Sequence, residues 1–508
     1  MQFPRAVRAL GLVLALAGCA SNAANMTSPS PDAPWKPNGR EGGYWSAQKS
    51  SDKAASAAAG GSRDFGVPAN PELSVLPQTP GIDLNRKYGL AELIDIAQRN
   101  NPATKAAWHQ AREAALAVGM VEATYLPVIT ASVIGGRQSV RTPLPVPIGA
   151  ERYFDTTASG VTSVLALQWL VFDFGQRAAV AEAAKQAAVA SNVLFNGAHQ
   201  KLIFDVTHTY YAYGAAVENV RIAEEALRNS EKIRAAAEAK LANGIATTVE
   251  VAQARQLVAQ AELRRVQAVG QQRDAYQALL AAVGINATLQ IDVKDANRRP
   301  LPAPSKVPLD AIIRVALARR PDVIASYSAI AASKAGVKAA KAEFMPKVFV
   351  AGTVGKGNGN FNVNNLPGIS QQATGAGVLV GAAVPIYDGG LRAAQLEQAK
   401  SRVESAESTF QRTQTLAVTE IVAASNALTT ALESYRAAEA LNRAAAVTYD
   451  AALQAYINGV GTVTEATAAQ SGLLDARQAK ADAHAAALIA AANLAFVVGA
   501  LTSSQSAP

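Results

Sequence analysis

Apolar residues recur along this chain with two periods, one typical of helices and one typical of strands. Residues 89–124 show helical spacing, and Pro127 follows as a helix terminator. The segments VITASVI (128–134) and VTSVLALQWLVF (161–172) are rich in β-branched and aromatic residues, and the proline-rich stretch RTPLPVPIGAERYF separates them. The pattern therefore predicts a helix followed by two strands that are joined by a long loop.

A long helical stretch follows this first hairpin. From Gly175 to Asn243 the pattern is helical without an internal proline, and residues 248–283 are predicted to form a helix that returns. About 68 residues at 1.5 Å each make a rod of roughly 100 Å, whereas the helices over 89–124 and 248–283 are each roughly 55 Å long. This arithmetic predicts a cylinder wall in which one continuous helix lies beside a stacked pair of shorter ones.

The second half of the chain repeats the first. Tyr125-Leu126-Pro127 has a counterpart in Phe344-Met345-Pro346, and the stretch NGIATTVEVAQAR (243–255) returns as NGVGTVTEATAAQ (458–470). The second copy also has two strand-like segments, KVFVAGTV and GAGVLVGAAVPIY, with the loop-like GKGNGNFNVNN between them. A repeat kept in register over this length predicts two copies of one unit: helix, hairpin, long helix, turn and helix.

Four strands per chain leave unpaired sheet edges. Such edges are not tolerated in lipid, and the smallest membrane barrels have about eight strands. The chain must therefore share a barrel with other copies or keep its sheet in water. No predicted helix has an uncharged run of about 18 residues, so we do not expect the helices to cross a membrane. Four aromatic residues near the strand–helix junctions would suit an interfacial belt or would pack on the helices as ordinary strand-end residues: Trp169, Phe172, Phe174 and Tyr387.

The N-terminus has the features of a secretory signal and ends at the single cysteine of the chain. Arg5 and Arg8 precede the apolar ALGLVLALAG, which is too short to span a bilayer. The sequence Leu16-Ala17-Gly18-Cys19 resembles the bacterial lipobox, in which the cysteine is lipidated and becomes the mature N-terminus. We expect Cys19 to carry acyl chains such as palmitate; the alternative is a chance cysteine in an ordinary signal peptide.

Composition then divides the chain into segments. The residues after Cys19 are rich in Ser, Pro, Ala and Gly, which predicts a tether without a core of its own. We expect a signal peptide over 1–18, a lipidated tether over 19–81, two repeats over 82–296 and 297–499, and a C-terminal tail over 500–508.

Charge and motifs argue against nucleic-acid binding and against catalysis. The net charge is +8, but Lys and Arg are scattered among Glu and Asp without a basic block. The four histidines are dispersed, the glycine-rich stretch 355–359 lacks the ending of a phosphate loop, and no G-x-S-x-G motif occurs. We therefore predict no catalytic residue, no metal site, no cofactor apart from the covalent lipid, no nucleic-acid partner and no enzymatic activity.

The ordered set of motifs resembles the TolC-like outer membrane factors, and within them the lipoprotein branch that serves drug-efflux and nodulation-type exporters. The resemblance covers about residues 82–499 and is carried by the duplicated unit, the lipobox, YLP and FMP before the hairpins, FDFGQR and YDGGLR after them, and NGIATTVEVAQAR. It implies a mainly α fold with a small β part, in which a homotrimer closes a twelve-stranded outer-membrane barrel that continues as a periplasmic α-helical tunnel. It also implies a periplasmic adaptor (membrane fusion) protein, an inner-membrane efflux pump and outer-membrane lipid as partners.

The resemblance also places the two Asn-Gly turns at the periplasmic tip, where the tunnel closes and the adaptor docks. The glycines supply the backbone freedom that these turns need. Thr247 or Thr248 in the first copy, and Thr462 or Thr464 in the second, can cap the helices that follow; we assign Thr462 to the predicted gate. The turn residues implied for adaptor docking are Asn243, Gly244, Asn458 and Gly459.

The gate residues of the family map only in part onto this chain. Glu465 takes the first acidic position of the inner constriction, whereas the second falls on Ala468. Glu250 and Tyr456 match an acid and a tyrosine that latch neighbouring helices, but the latch arginine falls on Gly461. Two alternatives stay open: Glu465 as a first-turn residue stabilised by the helix dipole, and Glu250 as a solvated surface residue.

Together these observations predict the passive exit duct of a tripartite efflux system, located in the outer membrane, lipid-anchored and extending into the periplasm. One alternative is an elongated periplasmic scaffold or adaptor lipoprotein without a pore, which would not need strand hairpins in duplicate. Another is a catalytic lipoprotein, which would need an acid/base or metal constellation that the sequence does not display.

Overall fold

The computed structural model describes residues 81–501, apart from 149–150, 297–298, 304–306 and 364–366, together with residue 74. The chain divides into residues 1–79 and 80–508, and the architecture below is that of the second unit. The predicted signal peptide, Cys19, nearly all of the tether and the tail beyond residue 501 lie outside the described residues.

Two copies of one unit follow each other along the chain. The first copy comprises β1 (Lys87–Tyr88), α1 (Leu90–Asn100), α2 (Pro102–Ala123), β2 (Val128–Ile148), β3 (Glu151–Phe172), α3 (Gln176–Ala242), α4 (Thr248–Val283) and β4 (Asp292–Val293). The second comprises α5 (Leu309–Leu317), α6 (Pro321–Ala342), β5 (Lys347–Val363), β6 (Ile369–Ala383), α7 (Leu391–Ile457) and α8 (Val463–Val497). The expected fold class, mainly α with a small β part and built from a duplicated unit, is confirmed.

Residues 89–124 form two helices, so the prediction of a single helix was wrong. Asn101 lies between them, and its side chain accepts a hydrogen bond from the Ala103 N–H at 2.8 Å. Pro102 occupies the first position of α2, where a helix has no use for an N–H donor. The Asn101 amide also donates to the Ala282 carbonyl of α4 at 3.2 Å, which ties the break to the end of the return helix.

In the second copy, an arginine links the break between the two shorter helices to the end of the return helix. Arg320 is only 9% exposed, and its guanidinium donates to the Val497 carbonyl of α8 at 3.2 Å. It also donates to Asp322 at 2.7 Å and to Glu420 of α7 at 2.6 Å. Burial raises the pKa of Asp322, but hydrogen bonding and charge from Arg320 outweigh burial and hold that pKa below its ordinary value. The two copies therefore fasten the same break with different chemistry.

The helices form a wall with one order near the strands and another towards the Asn-Gly turns. Near the strands the neighbours run α2, α3, α6, α7, and towards the turns they run α4, α3, α8, α7. The continuous helix α3 thus lies beside two stacked pairs, α2 with α4 and α6 with α8, as the length arithmetic predicted. The pair α2/α4 forms one edge of this wall and α7 forms the other.

A repeated Asp–Arg pair fixes each passage from strand to long helix. Asp173 accepts hydrogen bonds from the backbone N–H groups of Gly175 and Arg177, at 3.2 and 2.9 Å, and from the Arg177 guanidinium at 2.8 Å. Asp388 binds the N–H groups of Gly390 and Arg392 in the same way, at 3.1 Å each. Both glycines have positive φ, +87° and +91°, which explains why glycine occurs there in both copies. This pairing gives the motifs FDFGQR and YDGGLR a structural role.

The four long strands form one antiparallel sheet in the order β2-β3-β5-β6. They run through most of both segments that were predicted as loops: β2 pairs with β3 from Val128 to the Ile148–Glu151 end, and β5 pairs with β6 from Lys347 to Phe361. The loop predictions were therefore wrong, because cross-strand partners satisfy backbone groups that a composition of Pro, Gly and Asn had assigned to turns.

Near β1 and β4, which pair in parallel, an apolar cluster joins α1, α3, α4 and α8. Its tyrosine hydroxyls have partners: Tyr210 donates to the Lys294 carbonyl at 3.0 Å, and Tyr211 accepts from Arg299 at 2.9 Å. Burial of this kind stabilises by about 1.5–3 kcal/mol per large apolar side chain. The largest fully buried members are Leu93, Ile94, Val206, Leu279, Leu280 and Val283.

One of the described helices, α7, is long and apolar enough to cross a membrane by length and composition alone. Its most apolar 18-residue window has a mean hydropathy of 1.3 and is 28% buried. A core helix of a soluble protein passes the same test, and α7 packs along α6 and α8. Its charged residues recur throughout its length, as expected from the sequence.

The burial of Arg320 generates a stability prediction. Arg320→Ala removes the link between the α5–α6 break, α7 and α8, and we expect it to lower the free energy of unfolding by about 1–3 kcal/mol. Thermal unfolding followed by circular dichroism in detergent measures the change. Arg255→Ala is the matched control, because Arg255 forms an exposed pair with Glu238 and should contribute less than about 1 kcal/mol. Equal effects of the two substitutions would contradict this role of Arg320.

Candidate functional site at the helix turns

The two Asn-Gly turns have the same backbone geometry. Asn243 ends α3, Gly244 follows with φ +70°, and the Ile245 N–H donates to the Lys240 carbonyl at 2.9 Å. In the second copy Asn458 ends α7 and Gly459 follows with φ +84°. This is the left-handed helix ending in which glycine is favoured for its φ angle. The sequence expectation that these glycines make the turns is confirmed.

Both return helices begin with a capping box. The Thr247 hydroxyl accepts from the Glu250 N–H at 3.3 Å, and the Glu250 carboxylate accepts from the Thr247 N–H at 3.4 Å. Thr462 and Glu465 make the equivalent pair of bonds at 3.2 and 2.9 Å. Of the threonines that were considered as caps, the structure therefore selects Thr247 and Thr462.

The capping bonds favour the ionised form of Glu465. The Thr462 N–H, followed by the Thr462 side chain, lowers the pKa of Glu465 from its ordinary value of 4.5. The folded-state pKa is thus below the unfolded one. The contribution of this carboxylate to stability is therefore present above about pH 4.5 and is lost as the pH falls through the lower folded value. Glu465 is exposed, beside a cavity of about 770 Å³ that is lined mainly by alanines of α7 and α8.

Tyr456 lies in an apolar seam between the two hairpins. It is fully buried, and the seam joins α3 and α4 to α7 and α8. The Tyr456 hydroxyl has no hydrogen-bond partner among the described residues. The same is true of the hydroxyl of Tyr449, which lies about two helical turns earlier in α7. Burial, followed by the charge of Glu250, raises the pKa of Tyr456. Other buried members of the seam are Ile233, Ala237, Val251, Ala254, Leu257, Val463, Ala466 and Leu473.

The residue that takes the cationic place beside Tyr456 is Lys240, which the sequence analysis did not identify. Its ammonium group lies 4.2 Å from the centre of the Tyr456 ring, at a distance typical of a cation–π contact. The latch arginine of the family falls on Gly461, where a Cβ atom would lie 3.0 Å from the Ala455 Cβ. Close packing thus disfavours any side chain there. No sequence signal connects Lys240 to Tyr456, because the two residues are 216 positions apart.

The structure thus brings most of the predicted gate and turn residues to one end of the helices. Tyr456 belongs to the buried seam, Glu250 is half-buried, and Thr462 and Glu465 are exposed. Within residues 81–501, as far as they are described, no group of His, Cys, Asp and Glu could hold a metal ion. The turn region therefore consists of two capping boxes, an apolar seam around Tyr456 and the exposed carboxylate of Glu465.

The sequence is similar to those of known outer membrane proteins. The sequence profile described as outer membrane efflux protein matches residues 93–285 and 312–500, one segment for each copy. The chain is 26% identical over 372 residues to outer membrane protein OprJ of Pseudomonas aeruginosa, covering 73% of this chain and 75% of that protein. It is 27% identical over 433 residues to protein CyaE of Bordetella pertussis, covering 82% and 86%.

A solved structure has the same fold. The Campylobacter jejuni CmeC outer membrane channel superposes with a TM-score of 0.68 at 20% sequence identity, covering 82% of this chain and 88% of that one. Because the family profile matches both copies over most of the chain, this protein belongs to the outer membrane efflux protein family.

Proposed function

We propose that the protein is the exit duct of a tripartite efflux system, a passive conduit that carries small molecules through the outer membrane. The observation that supports this most strongly is a four-stranded sheet joined directly to helices of 67 residues, each about 100 Å long. A lumen that starts in a barrel and continues between helices would cross the membrane and much of the periplasm.

The unpaired edges of the chain support a trimer. In the described part of the sheet, β2 and β6 each have a single neighbouring strand. Three copies would place β6 of one chain beside β2 of the next and would close twelve strands without an edge. The same arrangement would bring α7 of one copy beside the pair α2/α4 of the next, which closes the helical wall.

The turns support docking of a periplasmic adaptor. Asn243, Gly244, Asn458 and Gly459 lie at the ends of the longest helices, farthest along the wall from the strands. A trimer would therefore present six such turns around one mouth. The energy for transport would come from the inner-membrane pump, and acyl chains on Cys19 would anchor the protein in outer-membrane lipid. The scaffold alternative gives no reason for a duplicated hairpin of apolar strands, and the family membership does not favour it.

Closure at the mouth would rest on the seam around Tyr456 and on Glu465. The seam packs the two hairpins of each copy together. Three copies of Glu465, one per chain, would form a single ring of carboxylates, because the second acidic position of the family is Ala468 here. A ring of negative charge disfavours anions in a narrow passage. We therefore propose a constriction that is mildly selective for cations.

The proposed ring predicts the effect of removing its charge. Glu465→Gln keeps a capping-box side chain, since glutamine can replace glutamate at this position. We expect its pores in planar bilayers to lose cation selectivity, measured as the reversal potential in a salt gradient. Glu250→Gln makes the same change at the matched position of the first copy and should leave the selectivity nearly unchanged. Identical reversal potentials for Glu465→Gln and the natural protein would rule the ring out.

The buried hydroxyl of Tyr456 predicts an unusual outcome. Tyr456→Phe removes an unpartnered buried polar group, which should stabilise the closed seam by about 1 kcal/mol or more. We expect fewer spontaneous openings in single-channel recordings. Tyr456→Ala should have the opposite effect, because it leaves a cavity and removes the ring beneath Lys240. A rise in open probability for Tyr456→Phe would show that the hydroxyl supports closure after all.

A further inference from the structure

The two faces of the sheet differ in composition. Alternation and strand register place large apolar side chains on one face, here called the apolar face: Ile129, Val133, Val161, Leu165, Leu167, Trp169, Val350, Val354, Val378 and Val380. The opposite face has mostly smaller or polar residues at the same level, including Thr130, Ser132, Gln168, Thr353, Gly355, Gly375 and Gly377, although Val128, Ile134, Val164 and Leu379 also lie on it. Lipid-exposed positions of a barrel are apolar and lumen-facing positions are polar or small, so the apolar face is the outer one.

The apolar face extends over a height that fits a bilayer. On β3 it runs from Trp169 to Val161, eight steps of about 3.4 Å, which is roughly 27 Å along the strand and roughly 21 Å in height at the strand tilt of about 40° that barrels have. An outward apolar band in membrane barrels is about 25 Å tall. Since the strands are continuous with the helices at the Trp169 end, the Val161 end points to the cell exterior. This step rests on the proposed function, because it takes the sheet to lie in the outer membrane.

Beyond Val161 the same face becomes polar and positively charged. Arg137 lies opposite Ser159, two residues past the end of the apolar band, and Lys356 lies opposite Ser163, two residues inside that end. Both side chains belong to exposed residues, and neither forms an ion pair within the described residues. Arg141, further along β2, differs because Asp155 already binds it in two hydrogen bonds at 2.6 and 2.7 Å.

Exposed amides continue this charged zone. Asn358 and Asn360 follow Lys356 on the same face of β5, and Gln372 lies opposite Asn358. The strand register aligns Arg137 of β2 with Asn360 of β5, which is two strands away. Lys356 is four residues from Asn360 along β5, so the backbone positions of Arg137 and Lys356 are roughly 17 Å apart. One phosphate group cannot bridge the two cations, so each would bind a phosphate of its own. The lysine stem can follow the apolar surface and place its ammonium at the polar boundary.

We propose that Arg137 and Lys356 bind the phosphate groups of the glycolipid that forms the outer leaflet, and that the neighbouring amides hydrogen-bond its sugars. Phosphate on a sugar head group is the anion that stands immediately above the acyl chains of that leaflet. Guanidinium and ammonium groups bind phosphate strongly, and cations beside a membrane are attracted to anionic head groups. The unpaired state of these two cations, beside an Arg141 that is already neutralised, is the observation that selects them.

Native mass spectrometry of the full-length protein in detergent tests this assignment. The probe is lipid A with two phosphate groups, compared with the same lipid after removal of both phosphates. We expect the natural protein to retain the phosphorylated lipid at least about tenfold better than the dephosphorylated one. Equal retention of the two lipids, or equal retention of phosphatidylglycerol, would overturn the proposal without any substitution being needed.

Substitutions locate the site. Arg137→Gln combined with Lys356→Gln should reduce retention of the phosphorylated lipid about tenfold. Lys347→Gln is the matched control, because Lys347 lies on the same strand at the end nearest the helices, and it should have no effect. Unchanged retention in the double variant would refute the assignment of these residues. Channel conductance of the double variant should equal that of the natural protein, so that absence of conductance in both would count against the proposed duct and not against the lipid site.

Discussion

Every backbone N–H and C=O group inside a hydrocarbon layer needs a partner in the protein, because the lipid offers none. A sheet of four strands satisfies its inner strands and leaves the outer sides of β2 and β6 unpaired. A single chain therefore cannot satisfy all of its own backbone groups within a membrane. This constraint accounts for the duplicated hairpin and for the unpartnered edges that the helical wall has at α2/α4 and α7.

Outside the sheet, the helices are held together by apolar packing and by a few polar contacts that recur in both copies. The Asp–Arg pairs at Asp173 and Asp388 set the passage from strand to helix in both copies. Asn101 and Arg320 fasten the breaks between the shorter helices to the ends of α4 and α8. The cluster near β1 and β4 has its phenols bonded, whereas the seam near the turns contains unpartnered phenols. More of the buried polar groups are therefore hydrogen-bonded in the middle of the wall than near the turns, where the proposed duct would open.

The sequence revealed the long helices and the turns almost to the residue, because glycine at positive φ, Asn-Gly endings and capping threonines are local signals. It misjudged the hairpins, since the Pro-, Gly- and Asn-rich stretches pair across the sheet, and only the partner strand shows that they are strands. At the turns, Glu250 and Glu465 could be placed by the repeat. The burial of Tyr456 and the approach of Lys240 could not, because both depend on how two hairpins pack at long range.

The central claim is that three chains pool their strands by pairing β6 of one copy with β2 of the next. Disulfide crosslinking tests it directly, because Cys19 is the only natural cysteine. Variants would combine Thr130→Cys, Ser132→Cys or Ile134→Cys in β2 with Ala373→Cys, Gly375→Cys or Gly377→Cys in β6, all on one face of the sheet. Oxidation should join two and then three chains in the pair whose register matches. If no pair crosslinks and the detergent-extracted particle has the mass of one chain, the strands are not shared and the account is wrong.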